Sequence, residues 1–190
     1  MKVLTISGSL REEAFSTKLA HAVEGLAPEG VEFSLYEGLD QIPGFNSDLE
    51  SAVPEIVEDL RARIEEADAL LIITPEYNAG VPGQLKNAID WASRPHGESA
   101  LAGKPAAVLS SSPMPFGAIW ANQQVRKAFT ITGTPTVERE LAIGKIDEKI
   151  DQENRIVDET ARGDLIALLA ELNELVAVIA DQEDQEAVPA

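Results

Sequence analysis

The sequence predicts an α/β fold: five parallel strands held between two layers of helices. Three observations carry that prediction. Ala69-Leu70-Leu71-Ile72-Ile73 is an apolar run without alternation, the pattern of a strand covered on both faces. The run stops abruptly at Thr74-Pro75-Glu76-Tyr77-Asn78. Strand-like and helix-like segments then alternate along the whole chain, β-α-β-α-β-α-β-α-β-α, which implies right-handed crossovers and a parallel sheet. Ligands of such sheets bind just beyond the carboxyl ends of the strands. Pro75 to Asn78 are therefore expected at a ligand.

Lys2 to Ser7 reads as the first strand, on Val3, Leu4 and Ile6, and Ser7 to Arg11 as the loop after it. Phe15 to Leu26 has helical spacing, with Phe15, Leu19, Ala22, Val23 and Leu26 near one face. Pro28 and Gly30 end it. Val31 to Tyr36 alternates and reads as a strand nearer the sheet edge. Glu37 to Ser51 is loop-like. Pro54 to Ala67 is a helix with Pro54 in its first turn and Ile56, Leu60 and Ile64 inward. The central strand follows, then Gly80-Val81-Pro82-Gly83 and a helix from Gln84 to Ser93. Pro105 to Leu109 is the fourth strand, ending in Ser110-Ser111-Ser112. A loop from Pro113 to Gly117 leads into a helix from Ala118 to Ile131. Thr134 to Leu141 supplies the fifth strand, Gly144 to Asp158 is irregular, and Glu159 to Ala180 is the closing helix. Residues 1–180 read as one domain, and 181–190 as an acidic, frayed tail.

Composition narrows the function. The chain has 190 residues, 44% hydrophobic and only 5% aromatic, enough for an aliphatic core. With 0 Cys it has no disulfide, thiolate metal site or cysteine nucleophile. No stretch is long and apolar enough to span a bilayer, and no signal peptide is evident, so a cytoplasmic location is expected. Acidic residues number 33 against 15 basic, a net charge of −18. Nucleic acid and anionic membranes are poor partners for such a chain. The surplus suits solubility, or equally a host with a salty cytoplasm.

The loop from Ser7 to Ser16 joins the first strand to the first helix, where backbone N–H groups and the positive end of the helix dipole meet a ligand. Gly8 permits a tight turn, Ser9 and Ser16 offer hydroxyls, and Arg11 offers a planar fork for a phosphate dianion. The alternative is an ordinary turn with Ser16 as a cap and Arg11 in solvent. Neither G-x-G-x-x-G nor a P-loop is present. The nearest P-loop lookalike, Gly97 to Lys104, has its glycines one residue too far apart and Pro105 in place of the hydroxyl. Ser110 to Ser112 lack a G-x-S-x-G elbow, which disfavours a serine hydrolase. His21 and His96 read as ordinary surface or packing residues, and no metal site is expected.

Gly8-Ser9-Leu10-Arg11, then Pro75-Glu76-Tyr77-Asn78, then Val81-Pro82-Gly83-Gln84-Leu85-Lys86-Asn87-Ala88-Ile89-Asp90-Trp91 occur in this order. Together, and with Leu101-Ala102-Gly103-Lys104-Pro105, they resemble the NADPH-dependent FMN reductase family, which includes bacterial chromate and quinone reductases and some azoreductases. The resemblance covers roughly residues 2–130. It implies a flavodoxin-like three-layer sandwich with strand order 2-1-3-4-5 and FMN at the switch point. By position, Ser9, Leu10, Arg11, Phe15 and Ser16 would surround the FMN phosphate. Pro75, Glu76, Tyr77, Asn78 and Ala79 would wrap the isoalloxazine edge, with Glu76 contributing backbone rather than carboxylate. Ser111 and Ser112 would lie beside the ring or the ribityl chain. The pattern departs from the family at Ala14, where serine is common, at Ser16, where asparagine is common, and at Gly117-Ala118-Ile119-Trp120, which stands for Gly-Gly-x-Arg.

The resemblance also implies two-electron reduction of quinones, free flavin or similar small-molecule acceptors by NADPH or NADH, with ping-pong kinetics and no catalytic acid, base or nucleophile. A homodimer or homotetramer is expected. Lys86, Asn87, Asp90 and Trp91 share a helix that reads either as a plain amphipathic helix or as a subunit interface anchored by Trp91. A flavin-binding electron carrier without NAD(P)H activity is the alternative, and the acidic surface suits it equally.

Overall fold

The computed structural model describes residues 1–186. Five parallel strands run in the order β2-β1-β3-β4-β5: β1 Lys2–Ser7, β2 Glu32–Leu35, β3 Ala69–Thr74, β4 Ala106–Ser112 and β5 Leu141–Gly144. This is the expected flavodoxin-like order. Helices α1 (Phe15–Glu24), α2 (Glu55–Glu66), α3 (Gly83–Ala92), α4 (Ile119–Thr132) and α5 (Glu159–Glu186) fill the crossovers and the C-terminus.

Each strand of the centre sends alternate side chains to two cores. Leu4, Ile6, Leu70, Ile72 and Val108 meet α2, α3 and α4 through Leu60, Ile64, Leu85 and Phe129. Val3, Leu71, Ile73 and Leu109 meet α1 and α5 through Leu19, Val23, Leu165 and Leu168. All six residues of β3 are buried, as a strand covered on both faces requires. Burial of these aliphatic side chains is the main stabilising term, each contributing roughly 1.5–3 kcal/mol.

Three elements differ from expectation. The fifth strand is Leu141–Gly144, not Thr134 to Leu141, where only Thr136 forms an isolated bridge, to Ala106. The reason lies in α4. The Arg126 guanidinium donates to the carbonyls of Val137 (2.8 Å), Glu138 (3.3 Å) and Arg139 (3.3 Å). Those acceptors are thereby satisfied without a strand partner. The fourth strand runs on through Ser112, because Ser110, Ser111 and Ser112 pair with Ala142, Ile143 and Gly144. The hydroxyls looked like loop residues. Ser110 instead sits buried beside the Asn122 amide, whose Nδ2 also donates to Val108 O (3.1 Å) and Leu141 O (3.0 Å). The closing helix reaches Glu186, six residues past its expected end. Residues 187–190 of the expected tail lie outside the described residues.

Trp91 does not present itself to a second subunit. It is fully buried, donates from Nε1 to Pro43 O at 2.8 Å, and meets the Phe45 ring edge-on at 5.0 Å. Asn87 adds two bonds to the same loop, accepting from Phe45 N (2.7 Å) and donating to Pro43 O (2.9 Å). This helix face therefore anchors the long loop after β2, and Trp91 is an internal anchor. Among the described residues no helix is long and apolar enough to cross a membrane.

Candidate functional site

The carboxyl ends of β1, β3 and β4 carry three connections that meet at one edge of the sheet. The first is the loop from Gly8 to Ala14. It is forced close to the second: a Cβ on Gly8 would lie 2.9 Å from Leu85 Cδ2 and 3.2 Å from Pro75 Cδ. Gly8 N donates to Ile73 O at 2.8 Å, which continues the sheet pairing into the loop. Ser9 Oγ accepts from Arg11 N (3.3 Å) and shares a hydrogen bond with the Tyr77 hydroxyl (3.2 Å). The loop and the turn after β3 are thus joined side chain to side chain, across 68 residues of sequence.

Helix α1 begins without help. Its N-cap is Ala14, which has no side chain to accept from the first turn. The first turn's N–H groups and the helix dipole therefore face the loop uncapped. Leu10 (56% exposed) and Arg11 stand outward, and the Arg11 guanidinium makes no ion pair among the described residues, despite the acidic surroundings. Ser16 is placed differently from a surface donor. It is buried and accepts from Ser7 Oγ at 2.9 Å, while Ser7 also bonds Thr17 Oγ1 at 3.1 Å. Phe15 is half-buried against the core under α1 and α5.

A groove of about 380 Å3 runs from Ser7, Ser9, Arg11 and Thr17 to Tyr36, Glu37 and Asp40 after β2. That volume is within the range of small-molecule sites. Arg11 is its one cation; Glu12, Glu37 and Asp40 are its carboxylates. Tyr36 is buried at its wall, and its phenol is pushed up to about 12, first by burial and then by Asp59. It stays protonated and donates to Ile56 O at 3.3 Å.

The second connection is the turn Pro75–Gly80. Tyr77 and Gly80 exchange two backbone hydrogen bonds of 3.1 Å around Asn78 (φ 53°) and Ala79 (φ 58°). Both central residues are left-handed, as a two-residue hairpin of the I′ kind requires. Asn78 accepts that geometry readily; Ala79 holds it under strain. Helix α4 clamps the turn. Gln124 donates to Ala79 O (3.1 Å) and accepts from Val81 N (3.1 Å). Glu76 Oε2 accepts from Ala121 N (3.1 Å), in the first turn of α4, whose N-cap Ala118 has no side-chain acceptor. The Glu76 carboxylate is therefore turned to α4 as a substitute cap. Tyr77 is 49% exposed and is fixed at its hydroxyl by Ser9.

The third connection runs from Ser112 to Ala118. Ser112 Oγ accepts from Met114 N at 3.1 Å. Ser111 is buried, and its Oγ has no hydrogen-bond partner. Gly117 (φ 61°) and Gly144 seat this loop on β5. A Cβ on Gly117 would lie 2.6 Å from Ala142 C, and one on Gly144 would lie 2.1 Å from Pro115 O. Ala118 is also left-handed (φ 63°).

The site thus brings together Ser9, Arg11 and the α1 N-terminus with Pro75, Glu76, Tyr77, Asn78 and Ala79. It places Ser16 beneath the loop and Ser111 inside the sheet sandwich. The arrangement fits a phosphate monoester at the uncapped helix end and a flat ring along the turn. The Arg11 guanidinium, which has no ion pair among the described residues, is the observation in favour. Sequence reasoning missed Gln124. Its only signal was a polar residue on the helix after β4, which nothing in the local pattern distinguishes. His21 and His96 belong to no metal cluster, and none is found among the described residues.

Comparison with known proteins gives the family and agrees with the fold. Residues 1–148 match the family described as NADPH-dependent FMN reductase. A quinone reductase of Pseudomonas putida is 40% identical over 160 residues, 83% of this chain and 86% of that protein. A 2-hydroxy-1,4-benzoquinone reductase of Burkholderia sp. is 37% identical over 163 residues, 85% of this chain and 88% of that one. The structure of FerB, a flavoenzyme NAD(P)H:acceptor oxidoreductase from Paracoccus denitrificans, superposes with a TM-score of 0.81 at 36% identity, covering 95% of this chain and 97% of FerB. With the three motifs at one edge of a 2-1-3-4-5 sheet, the chain belongs to the NADPH-dependent FMN reductase family.

Proposed function

We propose that this protein is an FMN-dependent NAD(P)H oxidoreductase that reduces quinones, free flavin or similar small-molecule acceptors by a ping-pong route. The observation that carries the reading is the Ser9–Tyr77 hydrogen bond of 3.2 Å. It ties a phosphate-type loop to a ring-type turn at one sheet edge, the two contacts one mononucleotide needs. The bound FMN would supply hydride acceptance from nicotinamide and two-electron delivery to the acceptor.

The chain's own residues then bind and orient. Arg11, Ser9 and the first-turn N–H groups of α1 hold the phosphate, and Ser16 braces the loop from below through Ser7. Leu10 and Phe15 flank that end. Pro75 to Ala79 present backbone to the ring edge on a turn that α4 keeps in place. Glu76 is engaged at α4, so its charge does not oppose the electron-rich reduced ring. Ser112 borders the β4 side, and Ser111 lies behind it, buried in the sheet. No residue need move a proton in the hydride step, which agrees with a site that lacks Cys and a histidine. The family resemblance carries with it a homodimer or homotetramer and a cytoplasmic location; light scattering reads the assembly.

The test is the absorption spectrum of the purified protein, then anaerobic titration with NADPH and with NADH. A yellow protein bleached by either nucleotide, and recoloured by a benzoquinone, is the expected result. A yellow protein that neither nucleotide bleaches faster than free FMN is an electron carrier instead. A colourless protein that leaves added FMN fluorescence unquenched overturns both.

A further inference from the structure

The groove after β2, about 380 Å3 in volume, is larger than one phosphate group needs. Arg11 and the uncapped start of α1 form one end of it, and Tyr36, Glu37, Leu39 and Asp40 form the other. The second end is rigid. Tyr36 N donates to Thr5 O at 2.9 Å, which extends the β1–β2 pairing. Gly38 is pressed against the same tyrosine: a Cβ there would lie 2.7 Å from Tyr36 Oη and 2.9 Å from Ile56 Cδ1. Gln84 of α3 donates to Leu39 O (2.7 Å) and Ile42 O (2.8 Å). Glu37 and Asp40 therefore stand on a fixed backbone, and both are exposed.

The protein itself uses neither carboxylate. Among the described residues the side chains of Glu37 and Asp40 make no hydrogen bond and no ion pair. They do not serve the flavin phosphate either, since like charges beside Arg11 oppose it. An ionised carboxylate only accepts, so the ligand that suits it brings hydroxyl or N–H donors. Position narrows the donor. The end of the second strand, beside the loop after the first, is where dinucleotide folds set an acidic residue to accept from an adenosine ribose; a 2′-phosphate there calls for an arginine instead. Leu10 and Leu35 add an apolar edge for the base. The chemistry that fits is an adenosine with both ribose hydroxyls free. NADH and FAD carry it, and NADPH does not.

We propose that this end of the groove is the adenosine subsite of the hydride donor, with Glu37 and Asp40 accepting from the ribose 2′- and 3′-hydroxyls, and that it makes the enzyme select NADH over NADPH. This rests on the oxidoreductase reading above. The 2′-phosphate of NADPH removes one hydroxyl donor and sets a further anion against two unpaired carboxylates. Arg11 is the one cation of the groove and is assigned to the flavin phosphate, so none remains for a second phosphate.

The experiment has a kinetic arm and a binding arm, both on the FMN-loaded full chain. In a ping-pong scheme kcat/KM for the nucleotide reports the first half-reaction, whatever the acceptor. At low salt NADH should exceed NADPH in kcat/KM by about 10-fold, through binding rather than through the bleaching rate at saturation. Glu37→Gln with Asp40→Asn should abolish the preference, and molar salt should shrink it in the wild type. Glu65→Gln, at the opposite edge of the sheet, should leave it unchanged, which separates the groove from the net charge of −18. By calorimetry 5′-AMP should bind more tightly than adenosine 2′,5′-bisphosphate, and the double variant should remove that difference. Preference for NADPH, no preference, or a preference that Glu65→Gln lowers as much as the double variant does overturns the proposal. So does a double variant that weakens FAD binding to the flavin-free chain yet keeps the nucleotide ratio, which gives the groove to FAD. If neither nucleotide bleaches the flavin, the oxidoreductase reading fails; bleaching by both without preference sinks the subsite alone.

Discussion

The turn after β3 and the loop after β1 meet at one site, yet they are held in opposite ways. The turn is saturated by the protein itself. Its central residues are closed by paired backbone bonds, Gln124 spans it from Ala79 to Val81, and Glu76 fastens it to α4. The loop is left undersatisfied. It opens onto a helix whose N-cap is Ala14, it carries an arginine with no ion pair among the described residues, and a side-chain bond, Ser9 to Tyr77, links it to the turn. The lesson is a division of labour. A ring edge needs a rigid platform before it arrives, because a misplaced platform costs rate. An anion brings its own hydrogen-bond acceptors, so donors left free in the apo protein are satisfied only on binding.

The contrast can be broken at the loop first. Arg11→Ala should weaken FMN binding by ~1.5–3 kcal/mol, as loss of a charge-assisted phosphate contact requires. Its urea midpoint without FMN should stay put, since the Arg11 side chain has no ion pair to lose among the described residues. Fluorescence titration and denaturation of the same sample read both numbers. An unchanged dissociation constant removes Arg11 from the site.

Breaking the turn should do the reverse. Gln124→Ala loses two hydrogen bonds and should cost the apo protein about 1–2 kcal/mol in urea, with a smaller effect on FMN affinity. Glu76→Gln should cost about 0.5–1 kcal/mol by weakening the cap and its favourable charge at the α4 N-terminus. Ala79→Gly sharpens the comparison from the other side. It relieves a left-handed alanine and should leave stability level or raise it by up to about 1 kcal/mol, because the added freedom of the unfolded chain offsets part of the relief.

Salt should separate the regions by the smallest effect. Glu12, Glu37 and Asp40 share the groove proposed for the phosphate with Arg11 alone. Moving from low to molar salt should therefore tighten FMN binding, or leave it level, by screening the three carboxylates more than the one cation. A site dominated by its arginine would instead weaken. The Arg11→Ala protein should show the stronger tightening.

How much of this was legible beforehand follows from range. β3 was readable because burial on both faces writes itself into adjacent residues, and the 75–79 turn was readable because its sharp polar stop follows that run. β5 was misplaced because the carbonyls of Val137 to Arg139 are claimed by Arg126, a partner on another element that no local window contains. The same holds for Glu76, whose side chain answers a deficit at Ala118, 42 positions away in the chain. Trp91 was ambiguous because an indole that anchors a loop and one that anchors a neighbour have the same helical spacing. Ser16 carried a plausible hydroxyl, and only the packing of α1 on β1 reveals that Ser7 occupies it.

The seating of the post-β4 loop bears on redesign. Gly117 and Gly144 tolerate no side chain, since the opposing carbonyl groups stand where a methyl would go. A library that randomises residues 113–118 wholesale would consist mostly of misfolded members. One that freezes those two glycines and diversifies the exposed Met114, Phe116 and Trp120 varies the surface beside the site on an unaltered frame.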